Sequence, residues 1–392
     1  MKLSEMALNV KESSTLSITA MAKQLSEQGA DLAAFTAGEP DFDTPEHIKK
    51  AAIDATNSGF TKYTPSSGTV DLRKAICAKL KKDNSLSYEP NQIVVSNGAK
   101  HSLSNIFLSI LNKNDEVIIP APFWLSYPEM VHIAGGKSII VHTSSENGFK
   151  LTVTELEKAY TKNTKALILN SPNNPTGAVY SKEELEQIAE FAIKNDIIVI
   201  ADEIYENLVY SGIQHISIAS LSEEIFKRTI IVNGFSKGYA MTGWRLGYTA
   251  SSKEIADAMG NIQSHMTSNP NSMAQKGAVV ALTGDQASVE NMRVEFEKRR
   301  NYIYDRAKNI PLISCNKPDG AFYLFIDVSG LLNDSLKSAK DIADVLLKEY
   351  SVVVVPCADF GFPNHIRLSY AISMEDITKG MDRIEKFVSE KY

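Results

Sequence analysis

Short apolar runs rich in strand-forming residues recur at 93–95, 116–120, 138–141, 166–169, 197–201 and 229–232, with helix-like segments between several of them. Runs without polar alternation suit strands covered on both faces, and the helical segments supply the crossovers that parallel strands require. The pattern predicts an α/β fold with a mostly parallel sheet between helices. The clearest helix begins at Ser181, where Ser181 and Glu184 form a capping box and Leu185, Ile188, Ala189 and Ala192 follow at helical spacing. A mixed pattern closes the chain: 322–328, 352–355 and 366–370 read as strands, and 339–347 and 374–388 as helices, which predicts a smaller α+β domain. A long helical stretch at 288–307 is the expected bridge.

With 392 residues and 43% hydrophobic content, the chain can bury one large core and a smaller one. Its formal net charge of −6 argues against a general nucleic-acid or anionic-membrane binder, while leaving room for local basic sites. Cys77, Cys315 and Cys357 have neither zinc-site nor disulfide-framework spacing; they read as small apolar fillers in a reducing compartment, and no metal is expected. The first residues carry no apolar core of signal-peptide length, and no run approaches membrane-spanning length, so a cytoplasmic protein is expected.

In a parallel sheet, ligands collect beyond the carboxyl ends of the strands. Asn97 to Lys100 follow the first run, Ser171 to Gly177 the fourth, Asp202 the fifth, and Ser236-Lys237 the sixth. Parallel strands would bring these segments to one edge. Gly98-Ala99-Lys100 opens a helix-like run whose backbone N–H groups suit an anion, although the same residues make a plain strand-to-helix turn. Asp202, after a wholly apolar strand, is a carboxylate expected to be buried and to need a cationic partner such as a protonated pyridine nitrogen; a helix N-cap is the alternative. Tyr205 and the Asn174 amide are placed to donate to a ring oxygen. Lys237, with Arg245 soon after it, suits an imine-bound phosphate cofactor: a fixed guanidinium lowers the amine pKa and holds a phosphate.

These residues resemble the fold type I, pyridoxal-phosphate-dependent class I aminotransferases, in particular the aspartate aminotransferase subgroup of many bacteria. The likeness runs from Ala37 to Pro45 through Tyr63, Trp124, Ser171 to Gly177, Asp202 to Tyr205, Ser236-Lys237 and Gly243 to Arg245, ending at Arg367 to Tyr370. It implies a large domain at 46–285 with a seven-stranded sheet, and a small domain formed by 1–45 and 286–392. It implies that Lys237 is the Schiff-base lysine and proton carrier, that Asp202 partners the pyridine nitrogen, and that Trp124 stacks on the ring. Gly98, Ala99, Ser236 and Arg245 would hold the phosphate. Gly38, Asn174 and Arg367 would take the substrate α-carboxylate, and Tyr63 would reach the neighbouring subunit's phosphate in a homodimer. Without the likeness, Lys237 reads as a solvated lysine, Trp124 as a core indole and Arg367 as a surface strand arginine.

Lys100 and Thr15 match the positions that meet the distal carboxylate of aspartate or glutamate in that subgroup, so transamination between L-aspartate and 2-oxoglutarate is the expected activity. An aspartate/prephenate enzyme is the near variant; an aromatic or alanine aminotransferase and a β-lyase are the more distant ones. A regulatory domain lacking enzymatic activity would not need Lys237, Asp202, Tyr205, Asn174 and Arg367 together. Two departures stand out: Gly234 where some relatives carry a hydroxyl, and Cys357 where relatives usually have glycine, which puts the shape of that loop in question.

Overall fold

The computed structural model describes residues 2–10, 12 and 14–392, apart from the side chains of Glu5 and Leu16. Its main sheet has seven strands: β1 (Ile93–Ser96), β2 (Glu116–Ala121), β3 (Lys137–His142), β4 (Thr164–Asn170), β5 (Ile198–Asp202), β6 (Thr229–Gly234) and β7 (Gly247–Ala250). Their spatial order is β1-β7-β6-β5-β4-β2-β3. Neighbours from β3 through β6 run parallel. β7 is antiparallel to both β6 and β1, so β1 points the same way as the rest and the segment after it joins the same carboxyl edge. The central strands β5 and β6 are buried almost throughout, as their unbroken apolar runs require.

Flanking helices bury their apolar stripes on this sheet. They include α1 (Val70–Asn84), α2 (Ala99–Ile110), α3 (Ser126–Ile133) and α4 (Lys182–Lys194). The capping box expected at Ser181 and Glu184 opens α4, and Leu185, Ile188, Ala189 and Ala192 are buried. Such a cap contributes about 1 kcal/mol.

The smaller layer follows α5 (Ala287–Ala307). It contains β8 (Ser314–Cys315), β9 (Tyr323–Asp327), β10 (Val355–Pro356) and β11 (His365–Ser369), in the order β10-β11-β9-β8, with α6 (Ala339–Tyr350) and α7 (Met374–Lys391) packed beside it. The run expected as one strand at 352–355 divides. Val352–Val353 pairs in parallel with Ala33–Ala34, while Val355–Pro356 pairs with β11. This division lets the N-terminal segment join the small layer, and Phe35 O then accepts from Ser369 N at 2.9 Å.

Candidate active site

At the carboxyl edge of β1, Gly98 adopts φ 90° and caps α2, whose first residues are Ala99 and Lys100. A Cβ at Gly98 would lie 2.5 Å from Arg245 Nη2, so only glycine lets the guanidinium sit against this helix start. Arg245 itself takes a left-handed conformation, φ 54°, and donates from Nη1 to Thr242 O at 2.8 Å. Its remaining donors and the α2 amide end make a cradle for an anion.

Asp202 ends β5 and is buried as expected, and the alternative reading as a helix N-cap does not hold, since a turn follows it. Within the chain its partners are neutral donors. Tyr127 OH donates to Oδ2 at 2.6 Å and Ile204 N to Oδ1 at 3.3 Å. Burial pushes the carboxyl up to about 6, against the lowering pull of these two hydrogen bonds. Asn170 braces the segment by donating to Asp202 O at 3.0 Å while its Oδ1 accepts from Asn174 N at 3.0 Å. The Tyr205 hydroxyl meets that of Tyr323 at 2.9 Å.

Lys237 donates to the carbonyl of Gly38. Its amine pKa is lowered to about 8, chiefly by burial. Arg245 and Arg367 contribute in the direction expected of a nearby guanidinium, and Glu39 opposes them. Arg367 on β11 is buried, lies 4.4 Å from the centre of the Tyr323 ring, and donates from Nη1 to Asn174 Oδ1 at 3.1 Å. It is therefore no surface arginine, and its buried Nε has no hydrogen-bond partner. Lys100 Nζ sits 4.9 Å from the Trp124 ring centre, and Thr15 Oγ1 is buried without a partner.

One cavity of about 510 Å³ is lined by Thr15, Gly38, Ala99, Lys100, Trp124, Asn174, Asp202, Tyr205, Ser236, Lys237, Arg245 and Arg367. The expected residues thus converge, with two qualifications. Gly98 contributes as the tight approach to Arg245, and Tyr63 is 91% exposed, outside the lining of this cavity. Sequence reasoning missed Tyr127, Tyr323, Glu39 and Asn170, which also line it. Tyr127 follows Trp124 by one helical turn, a spacing that could have marked it as a neighbour in the same site.

Both departures have structural accounts. A Cβ on Gly234 would lie 2.9 Å from Gly247 Cα and from Leu246 O, so the close β6 to β7 contact admits only glycine. Cys357 has φ −107°, an ordinary conformation, is buried, and its thiol donates to Val355 O at 3.4 Å. The left-handed position in that loop is Gly361, φ 91°.

Residues 30–384 match the family model for aminotransferase class I and II. The chain belongs to this family. It is 49% identical to the aspartate aminotransferase of Bacillus sp. (strain YM-2), with 96% of each chain covered. Among solved structures, the aspartate aminotransferase of Rhizobium meliloti aligns with a TM-score of 0.96 at 38% identity, covering 99% of each chain. That of Thermus thermophilus with maleate aligns with a TM-score of 0.94 at 42% identity, covering 98% of this chain and 99% of the other. The family's members are transferases that use pyridoxal phosphate. The donor set fits that group: a guanidinium against a side-chain-free glycine for the phosphate, a buried carboxylate hydrogen-bonded only to neutral donors for the ring nitrogen, and an amine shifted toward neutrality for the aldehyde.

Proposed function

We propose that the protein transfers the amino group of L-aspartate to 2-oxoglutarate, giving oxaloacetate and L-glutamate in a ping-pong cycle. One observation carries the reading: Lys237, Asp202, Arg367 and Lys100 line a single cavity, so a reactive amine has cations available for both carboxylates of a dicarboxylic substrate. The bound cofactor would supply an aldehyde for amine exchange and a protonated ring that accepts electrons from the substrate α-carbon. Gly98, Ala99, Ser236 and Arg245 would hold its phosphate, Trp124 would cover the ring face, and Tyr205 and Asn174 would donate to its ring oxygen. Tyr63, exposed in the single chain, would reach the phosphate of a second subunit in a homodimer.

Lys237 would be the attachment point and, once displaced by the substrate amine, would move the proton from the substrate Cα. With a pKa near 8 it can be neutral at little cost when it must accept that proton. Asp202 would keep a proton on the ring nitrogen; that pyridinium would supply a cation in direct contact with a carboxylate whose own hydrogen-bond donors are neutral. Arg367 would clamp the α-carboxylate through a bidentate fork, with the Gly38 backbone and Asn174 beside it. Lys100 and the unpartnered Thr15 hydroxyl would meet the distal carboxylate. Burial and, secondarily, Arg245 lower the Lys100 pKa, so an anion would restore the favourable charge balance.

The domains proposed are 46–285 for the cofactor and 1–45 with 286–392 for the smaller unit, which would close over substrate through Gly38 and Arg367. Among the described residues, no helix is long and apolar enough to cross a membrane; the cytoplasm is the proposed location. The reading is tested by adding single amino acids to the cofactor-loaded protein and recording the cofactor's change from aldehyde to amine form. Aspartate and glutamate should convert it rapidly, and Lys100→Ala should lower kcat/KM for them by roughly 10- to 100-fold, the loss expected for a charged hydrogen bond. Conversion by alanine or aromatic amino acids alone would overturn the substrate assignment. Turnover of aspartate without a second keto acid would point to a lyase, and prephenate as acceptor tests the aspartate/prephenate variant.

A further inference from the structure

Behind the cavity, the turn that carries Asp202 and Tyr205 sends its other acidic side chains the opposite way. Glu206 is buried and pairs with the ammonium of Lys79, itself 7% exposed, on α1. The same carboxylate accepts from Asn233 Nδ2 at 2.7 Å and from Asn84 Nδ2 at 2.9 Å, and Asn84 Oδ1 accepts from Lys79 Nζ at 2.7 Å. Asn233 Oδ1 accepts from Gly234 N at 2.7 Å, at the end of β6 just before Lys237. One anion therefore ties together three segments: the end of α1, the turn holding Asp202 and Tyr205, and the strand end that leads to Lys237.

We infer that Glu206, braced by Lys79, Asn84 and Asn233, is a positioning residue that sets the relative placement of Asp202, Tyr205 and Lys237. The inference rests on the aminotransferase reading above, and Glu206 acts only through those residues. A buried ion pair adds little net stability over apolar replacements, but with each partner further hydrogen-bonded it fixes a single geometry. The neighbouring Glu203 and His215, 3.4 Å apart, offer ligand atoms within 4.8 Å of Glu206. Lys79 already brings positive charge to this cluster, so the geometry favours a brace over a cation site.

The test is the double variant Lys79→Met/Glu206→Gln, which removes both charges together. In cofactor-loaded, folded protein, kcat for the aspartate half-reaction should fall by about 10- to 100-fold, the scale of a small misplacement of reacting groups, while KM changes little. The pH midpoint of the bound cofactor's absorbance should shift as well. Asn233→Ala, which leaves the ion pair intact, should move both readouts in the same direction by a smaller amount, and it carries the test if the double variant does not fold. Wild-type kcat and midpoint in either folded variant would overturn the inference, because a purely structural role predicts only a lower melting temperature. The midpoint needs no substrate. A shifted midpoint in a protein that does not transaminate would therefore count against the proposed reaction and not against the brace.

Discussion

Asp202 and Glu206 lie one turn apart in sequence and are both buried, yet their surroundings treat negative charge in opposite ways. Asp202 faces the cavity with only neutral donors on its oxygens, and burial pushes it up to about 6. Glu206 faces the interior. Burial raises it too, but Lys79, His215 and Asn84 outweigh that and hold its carboxyl below the usual range. The difference separates two kinds of site: the interior carboxylate is ion-paired within its own chain, whereas the cavity carboxylate has neutral hydrogen-bond donors and only a minor pull from Lys237, an environment that suits a cationic ligand.

The strongest way to break this comparison is to remove each charge alone. Glu206→Gln leaves the buried Lys79 ammonium with only the more exposed Asp83, 4.0 Å away, as an anionic partner, and unfolding free energy should drop by about 3 kcal/mol. Denaturant melts at neutral pH check this. A drop below about 1 kcal/mol would mean that the pair is not compensated as described.

Asp202→Asn should do the reverse in cofactor-free protein. A folded pKa of about 6 above the ordinary 3.8 gives a stabilising contribution that is present below about 4 and lost as pH rises through 6. At pH 7 the Asn variant should therefore gain up to about 3 kcal/mol relative to wild type, with little difference at pH 4. Glu206 runs oppositely: its lowered pKa gives stability present above 4.5 and lost as pH falls. The same Asp202→Asn change should cost turnover about 10²- to 10³-fold, the scale for removing a preorganised charge from a reacting centre. A variant both less stable at pH 7 and fully active would dissolve the contrast.

Tyr127→Phe is a finer probe. Losing the phenol raises the Asp202 pKa further, since that hydrogen bond holds it down. The acid limb of the pH-rate profile should move to higher pH, with roughly a 10-fold loss at neutral pH, the scale of one hydrogen bond to a charged group. An unmoved acid limb would assign Tyr127 to packing against Trp124 alone.

Much of the fold and cavity was legible in the sequence because the main strands are buried on both faces, and each reactive segment follows one of them. β7 escaped notice: Gly247-Tyr248-Thr249-Ala250 is short, with three of its four residues small or polar, and is recognised only through its pairing with β6 and β1. The Glu206 brace was hidden for a different reason. Lys79 sits on the apolar stripe of α1 between Ile76 and Leu80, but beside Lys81 and Lys82 it reads as one more surface charge. Tyr127 and Tyr323 look like ordinary core aromatics, and only the distances from their hydroxyls to Asp202 and Tyr205 set them apart.

Everything proposed for the cavity depends on Lys237 holding the cofactor covalently. The most direct measurement is borohydride reduction of the loaded protein followed by peptide mapping. The account predicts a stable pyridoxyl label on Lys237, absent in Lys237→Ala. A label on another lysine, or none in a protein that still transaminates, would contradict it.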